Sequence, residues 1–298
     1  MREIVSPLDG FASPFGRATP PGLTIDFRSG SYDSDLVTLT RASTATYIDA
    51  SGVLQTVTSD TIRDAAYTHD LTDTLTGPFL LIEGAATNEV TAPRDLTDAA
   101  WTKSASMGTA LNATGIDGTS NSATTLTASA ANQTVTEALT LTEAEYTFSA
   151  RVKRVTGGGR IDITLDGGTT WHERDPFILD GEWMRIGATQ TLANPEVGFR
   201  IVNSGDAIIV DACQLEAGEY ATSDILAGGT RAADVLSIDV ADGLSWDFSW
   251  SNYAQVAEAA FIDSIEFTNI NTTTKLCNVS VSWFDRATGE VVSDYRTG

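Results

Sequence analysis

Cysteine and histidine are scarce in this sequence. It holds two of each among 298 residues and has no Cys-x-x-Cys pair. A histidine-rich zinc site is therefore excluded. Cys213 and Cys277 each lie in an alternating apolar run, which predicts two buried free thiols, with a disulfide as the alternative. The Gly-x-Ser-x-Gly, His-Glu-x-x-His, P-loop and dinucleotide-binding motifs are also missing. We therefore predict that the protein is not an enzyme and carries no organic cofactor.

Positive charge is scarce as well. There are 18 Lys and Arg residues against 40 Asp and Glu, which gives a net charge of -22 and a sequence pI near 4.2. Nucleic-acid binding requires clustered cations that displace counterions, so this balance argues against it. The start, "MREIVSPLDG", has no apolar run, and no stretch reaches the length of a membrane span. We expect neither a secretory signal peptide nor a membrane partner.

What the sequence does contain is a long series of short alternating runs rich in Thr, Val and Ile. They recur roughly every 10 to 15 residues with turn residues between them, and no helical periodicity intervenes. In "EYTFSARVKRV", for example, Tyr146 and Phe148 share one face while Thr147 and Arg151 take the other. The pattern predicts an all-β protein. Its segments are an extended arm at 1–35, an N-terminal β segment at 36–88, a β-sandwich jelly roll at 89–226, and a linker with a small C-terminal β unit at 227–298.

The predicted arm is punctuated by prolines that no helix or central strand tolerates. Phe11, Phe15 and Phe27 are its candidate anchors. Such an arm is ordered only when it lies on something, often a partner subunit, and the alternative is a disordered tail. One short helical turn is predicted at residues 95–101, in "DLTDAAW". The C-terminal unit is too small to be stable alone, so we expect it to lean on a neighbour.

Aromatic and polar residues crowd together in "TTWHERDPF". Trp171, His172, Glu173 and Arg174 are the candidate glycan-binding residues, because tryptophan stacks on a sugar ring and polar groups bind its hydroxyls. Alternation places Trp171 and Glu173 on one face. The alternative is an edge strand with a core tryptophan and solvated charges. A hydrolase would need a carboxylate pair, for which Glu173 and Asp175 are the candidates.

Two further hypotheses concern a bound cation and the location of the large aromatic residues. Asp162 with Asp166, or Asp206 with Asp211, could hold a structural Ca²⁺, although EF-hand spacing is absent. Four large aromatic residues are predicted to lie in the core rather than on a ligand platform: Trp101, Trp183, Phe148 and Phe199.

Three segments resemble a run found in structural proteins of tailed phages and prophages. These are "TLTRASTATYIDASGVLQTV", "LLIEGAATN" and "RDLTDAAWTK". The family usually reads FTRASTATYxDxxGxxQ, LLIExxxTN and Asn/Asp-x-x-Trp-Thr-Lys. With the segments described next, the resemblance covers about residues 36 to 238.

The following part looks like a jelly roll of the carbohydrate-binding-module type. "EYTFSARVK" is similar to a YTFSxYVK strand, with Arg151 in place of the usual aromatic residue. "DGEWMRIGATQTL" is similar to GxWxRVxxxxTL. "QLEAGEYATSDI" is similar to a closing strand, QLExGxxATSYI, with Asp224 in place of the usual tyrosine. "TRAADVLSI" resembles the exit to the next element. The resemblance implies that Leu215 lies in the core while Gln214 and Glu216 point the other way.

The resemblance implies a virion protein, most simply a fibre or tail-associated protein whose jelly roll binds host-surface glycan. It also implies a homotrimer that is assembled in the bacterial cytoplasm and contacts other virion proteins through its N-terminal arm. The alternative within the same family is a head decoration or adaptor protein without glycan binding. A third reading, a glycan-cleaving tailspike, would require parallel β-helix repeats, and the sequence shows none.

Overall fold

The computed structural model describes residues 22–69, 74–174, 181–241, 244–249, 260–271, 273–274, 276–285 and 288–297. Over these ranges the chain is almost entirely β-strand, with one three-residue 3-10 turn at Ser34–Leu36. The strands before residue 89 are β1 (Leu23–Asp26), β2 (Val37–Thr40), β3 (Ala45–Ile48), β4 (Leu54–Val57), β5 (Ala66–His69), β6 (Leu75–Ile82) and β7 (Ala86–Asn88). The predicted all-β class is confirmed.

Residues 101–217 supply the strands of the central β-sandwich. They are β8 (Trp101–Lys103), β9 (Met107–Ala113), β10 (Ala123–Ala128), β11 (Gln133–Ala138), β12 (Ala144–Thr156), β13 (Ile161–Thr164), β14 (His172–Glu173), β15 (Met184–Leu192), β16 (Glu196–Ile201) and β17 (Ala207–Ala217). The first sheet has the order β15-β12-β17-β10-β9, and the second has the order β14-β13-β16-β11-β8.

The two sheets of the sandwich enclose one apolar core. Alternation along β12 directs Tyr146 and Phe148 inward as predicted, and Phe148 meets Phe199 of the second sheet edge-on at 5.6 Å between ring centroids. Leu215 of β17 is fully buried in the same core. Each sheet therefore has an inner apolar face and an outer polar face, and the outer faces are where a ligand can bind.

The chain leaves the sandwich into β18 (Gly229–Arg231), β19 (Val235–Ala241), β20 (Leu244–Ser249), β21 (Ala260–Asn271), β22 (Leu276–Asp285) and β23 (Glu290–Thr297). Three of them pair with strands that precede the sandwich: β21 with β6, β19 with β2, and β18 with β7. The strands β20, β22 and β23 extend these sheets. The N- and C-terminal units, which the sequence predicts to be separate, thus share sheets. We call these paired strands the flanking unit, and the sandwich lies between its two halves in the sequence.

The predicted arm is partly corrected. Residues 23–26 of the predicted arm belong to the chain's own sheet, because β1 pairs with β21, and Ile25 and Phe27 are buried. Phe27 is an anchor as predicted, and it packs edge-on against Tyr32. Phe11 and Phe15 lie outside the described residues.

The structure also describes the predicted helical turn at residues 95–101 and the two cysteines. Residues 95–100 form turns rather than a helix, because Asp95 and Asp98 side chains accept backbone N–H groups two residues ahead. Cys213 and Cys277 are both buried free thiols, as expected.

Among the described residues, none belongs to a helix long and apolar enough to cross a membrane.

A buried ion-pair network joins the sandwich to the flanking unit. Arg63 donates to Glu83 at 2.7 Å and also to Asp234, whose other oxygen accepts from Arg41 at 2.9 Å. All four side chains have no solvent exposure. Glu83 extends the network to the segment leaving the sandwich, since it accepts the Ser223 backbone N–H at 2.7 Å. We call Arg41, Arg63, Glu83, Arg231 and Asp234 the joint network.

Most polar atoms of the joint network have hydrogen-bond partners, although Arg63 Nε and Arg231 Nε and Nη2 find none among the described residues. Arg41 donates to the carbonyls of Thr58 and Ser43, and Asp234 accepts the Glu83 backbone N–H at 2.8 Å. Burying charges is costly unless they are paired and hydrogen-bonded, and removing one partner leaves the others uncompensated. The network therefore fixes how β6, the exit from the sandwich and the start of β19 meet.

Acid is expected to weaken this joint. Burial alone would raise the pKa of Glu83, but attraction to Arg231 and Arg63 outweighs burial and lowers the pKa to about 2. A depressed folded-state pKa contributes stability that is present above the unfolded value, near 4.3, and is lost as pH falls towards 2. We predict that the urea midpoint falls between pH 4.5 and 2.5, with Glu83 contributing on the order of 3 kcal/mol.

A Glu83→Gln variant checks the assignment. It should be less stable than wild type at pH 7, because Arg63 and Arg231 lose their counter-charge. Its midpoint should fall less steeply with acid. Equal acid slopes for the two proteins would contradict a role for Glu83 in acid unfolding.

Candidate functional site

The outer face of the second sheet carries part of the predicted glycan patch. Glu173 lies directly opposite Asp162, which in turn lies opposite Arg200, so these three side chains share the outer face. Trp171 is half-buried, and the Arg200 guanidinium lies over its ring at 4.3 Å from the centroid. Alternation thus places Trp171 and Glu173 on one face, as the sequence indicated. We call Trp171, Glu173, Asp162, Arg160 and Arg200 the Trp171 patch.

The charges of the Trp171 patch neutralise one another. Asp162 is fully buried and accepts from Arg160 at 2.6 Å and from Arg200 at 2.8 Å. Arg160 also lies 3.4 Å from Glu173, whose side chain is 51% exposed. The patch therefore offers guanidinium donors and a carboxylate acceptor in fixed positions around an indole. One face of that indole is covered by Arg200, so only the remainder of the ring can meet a ligand.

His172 and Arg174 do not belong to this patch. His172 lies opposite the core residue Ile163 and so faces into the sandwich, where its Nε2 atom is buried without a hydrogen-bond partner. Burial lowers its pKa, and the nearby Arg174 lowers it further. Arg174 reaches across the edge of the sandwich and donates to the Gly187 carbonyl at 2.9 Å. Asp175, the proposed partner of Glu173 in a hydrolase, lies outside the described residues.

The carboxylates considered for Ca²⁺ all have protein partners. Asp166 accepts the Thr170 backbone N–H at 2.8 Å, and Asp206 accepts that of Gly159 at the same distance. Asp211 accepts the Ile116 N–H and pairs with Arg94. In the parts of the chain that the structure describes, no group of three or more His, Cys, Asp or Glu side chains could hold a metal ion. The bound cation stays a prediction.

The outer face of the first sheet is half covered by the chain itself. Residues 218–225, which we call the exit segment, lie across β12, β15 and β17. Gln214 donates to the Ser223 carbonyl and accepts the Ile225 N–H at 2.7 Å, while Glu216 accepts the Thr222 N–H at 2.7 Å. These contacts explain the Gln-Leu-Glu at the end of β17. Leu215 fills the core, and its two polar neighbours hold the exit segment on the other face.

Two departures from the family pattern meet under the exit segment. In the motifs that these segments resemble, an aromatic residue stands at the position of Arg151 and a tyrosine at that of Asp224. In this chain they form a buried ion pair, with Arg151 Nη2 2.8 Å from Asp224 Oδ2. Burial would raise the pKa of Asp224, but attraction to Arg151 and Arg185 lowers it below its usual value. In this chain the charges of Arg151 and Asp224 therefore compensate each other.

The other half of this outer face is left open by every segment that the structure describes. Lys153 extends from β12 with its ammonium over the Trp183 ring, 5.1 Å from the centroid. Trp183 is only half-buried, so the prediction that it is a core residue is wrong. Trp101, Phe148 and Phe199 are buried as predicted. Sequence alternation could not detect the difference, because Trp183 precedes the strand rather than lying within it.

Comparison with known proteins reveals fold likeness at low similarity. No protein-family description matches the chain, and no curated protein matches it. Solved structures similar to part of it include the CBM22-1 xylan-binding domain of Paenibacillus barcinonensis Xyn10C, with 14% identity, 46% of this chain and 94% of that chain covered, and a TM-score of 0.30. Another is the C-terminal CBM6 of LamC from Zobellia galactanivorans, with 14% identity, 44% and 95% covered, and a TM-score of 0.27.

A third similar structure is a family 6 carbohydrate-binding module of Clostridium cellulolyticum in complex with xylose. Its identity is 12%, the match covers 46% of this chain and 97% of that one, and the TM-score is 0.27. These neighbours are carbohydrate-binding modules. At such identities and TM-scores they carry no argument about the ligand, so the site has to be argued from its own residues.

The Arg151–Asp224 pair yields a direct test of compensation. Arg151→Tyr alone should destabilise the protein by about 3 kcal/mol, because it leaves the Asp224 carboxylate buried and short of a partner. Asp224→Tyr alone should cost a similar amount. The double variant should recover at least half of the summed loss, since it removes both buried charges together and leaves neither without its partner. Urea unfolding of the four proteins measures this coupling, and strictly additive losses would contradict it.

Proposed function

We propose that the sandwich of this protein binds host-surface polysaccharide through the Trp171 patch, and that the chain is a fibre or tail-associated structural protein of a tailed-phage virion. The proposal assigns no catalytic role to any residue. Each site would bind weakly, by stacking and hydrogen bonding, and many copies on one particle would raise the avidity.

The observation that carries the glycan proposal is the partly exposed indole of Trp171 within a fixed polar frame. Arg200, Asp162 and Arg160 hold each other in place, so little side-chain entropy is lost when a sugar binds. The guanidinium donors and the Glu173 acceptor match the hydroxyl groups of a sugar, which both donate and accept hydrogen bonds. Of the four residues suggested by sequence, Trp171 and Glu173 would contact the glycan, while His172 and Arg174 would only shape the edge.

The virion proposal draws support from where the family-like motifs lie. Arg41 belongs to "TRASTATY", Glu83 to "LLIEGAATN", Ser223 to "YATSDI" and Asp234 to "TRAAD". All four residues belong to the joint network or bind it directly. The motifs thus have one shared physical purpose, which is to attach a sandwich to its flanking strands. The homotrimer, and the contacts with other virion proteins through the N-terminal arm, remain part of the proposal.

A second candidate is a head decoration or adaptor protein without glycan binding. Two observations favour it: Arg200 covers one face of Trp171, and the exit segment covers half of the other sheet. Labelling this chain on purified virions separates the two candidates. Label on free projections or at the tail tip supports recognition, whereas label spread evenly over the capsid with the patch buried supports a purely structural role.

The glycan proposal predicts that Trp171→Ala weakens binding to neutral oligosaccharides by about tenfold or more, the loss expected for one stacking contact in a weak site. A panel that includes xylohexaose and cellotriose can be titrated against the full chain by calorimetry or NMR. Thr102→Ala is the matched control, because Thr102 is exposed on β8, at the far edge of the same sheet. It should leave binding unchanged.

The Trp171→Phe variant distinguishes loss of the stacking contact from loss of the fold. It keeps an aromatic ring under Arg200 and should retain most of the affinity and all of the stability. Failure of every sugar to bind at about 10 mM, which corresponds to a free energy weaker than 3 kcal/mol, would remove the glycan proposal and leave the structural one.

A further inference from the structure

Lys153 differs from the other cationic side chains that the structure describes. Ten of the described arginines lie within ion-pair distance of a carboxylate, as Arg28 does with Asp263 and Arg154 with Asp206. Arg174 and Lys103 donate instead to backbone carbonyls. Within the described ranges, the Lys153 ammonium has only the Trp183 ring beside it. An ammonium without an anionic partner is notable in a chain of net charge -22.

The position of Lys153 makes its charge available to a ligand. Val152 lies opposite Met184, so Trp183 and Lys153 are neighbours across the edge of the sheet. On the other side Lys153 lies opposite Ile209, which lies opposite Thr125 of β10. This row crosses the open half of the outer face, and each of its members is only partly buried. Val155, two residues beyond Lys153, is 51% exposed.

The row offers three kinds of contact within one surface. Trp183 and Val155 supply apolar area on which the C–H face of a sugar can lie. Thr125 and Asn112 are hydrogen-bonded to each other at 2.7 Å and present further polar atoms. Lys153 supplies a single positive charge whose ring-side solvation is replaced by the indole, where a cation is attracted to the π face. A ligand that satisfies all three has both a sugar ring and a negative group.

We propose that the open half of the first sheet is a second binding site, specific for a sugar that carries a carboxylate, as uronic acids do. The carboxylate would pair with the Lys153 ammonium, and the sugar ring would lie against Trp183 and Val155. The exit segment closes the other half of the face, where Arg151 and Arg185 are already paired with Asp224. The site therefore admits a short stretch of an acidic glycan and ends at that segment.

This site is separate from the Trp171 patch, since the two lie on outer faces of different sheets. The two proposals can therefore fail independently. The charges of the Trp171 patch cancel within it, whereas Lys153 has no carboxylate partner among the residues that the structure describes. Acidic sugars should consequently select the Lys153 site, and the overall negative charge of the protein makes this selection local rather than a long-range attraction.

The test compares each acid with its own ester. Oligogalacturonate and oligoglucuronate are titrated against the full chain by NMR or calorimetry, and the same oligosaccharides are titrated after methyl esterification. The ester keeps the sugar ring and removes the charge. We expect the free acid to bind about tenfold more tightly than the ester at low salt, and this preference to shrink at about 0.5 M salt.

Three variants assign the effect to the site. Lys153→Gln should abolish the preference for the acid and leave the stability unchanged, because Lys153 makes no ion pair with any residue that the structure describes. Lys153→Arg should retain the preference. Trp171→Ala should have no effect on it. Equal affinity for acid and ester, an unchanged preference in Lys153→Gln, or no binding of either acid at about 10 mM would each overturn the proposal.

Discussion

The structure depends on a small set of charges buried where the sandwich meets its flanking strands. Arg63 and Arg41 converge on Asp234, and Arg63 and Arg231 converge on Glu83. Residues from before and after the sandwich meet at this point, so the full set of ion pairs forms only when both parts of the flanking unit are in place. Because ion pairs in the interior gain little net free energy but are costly to break, the network serves geometry more than stability. It fixes the direction in which the sandwich leaves the flanking unit, and with it the direction of both outer faces.

Buried polar contacts also hold the exit segment on the first sheet. Gln214, Glu216 and Arg151 project from the first sheet as a strand pattern predicts, yet each is at least nine-tenths buried because the exit segment covers it. Polar side chains on an outer face normally mark a solvated surface. Here they hold a stretch of irregular chain, and they satisfy backbone groups that would otherwise lie buried without partners. The Arg151–Asp224 ion pair is one of these contacts, and each residue supplies the counter-charge for the other under the exit segment.

Several features of the fold could be predicted from residues alone because they depend on short-range periodicity. The strand class, the inward set on β12 and the burial of Leu215 all follow from alternation. The pairing of β6 with β21 could not be predicted, since about 180 residues separate the partners and only the tertiary fold brings them together. The sequence likewise predicted only part of how the residues of "WHER" divide between the outer face and the core. Alternation separated His172 from Trp171, but only the strand register showed that His172 faces the core and that Arg174 crosses to the other sheet.

The two outer faces consequently carry different chemistry. The second sheet presents an indole within a self-neutralised set of charges, which suits neutral hydroxyl groups. The first sheet presents an indole beside an ammonium that has no carboxylate partner in the described part of the chain, which is the basis for the proposed acidic ligand. The exit segment bounds the surface on the first sheet, whereas the Trp171 patch on the second sheet is held by its own ion pairs.

The most direct test of this account is calorimetric unfolding of the full chain and of Asp234→Asn. If the joint network makes the sandwich and the flanking unit one cooperative body, wild type should unfold in a single transition. Asp234→Asn should then split it, with the flanking unit melting about 6 °C or more below the sandwich. Two separate transitions in wild type, or a single transition in the variant displaced by less than about 1 °C, would contradict the claim that the buried charges unite the two parts.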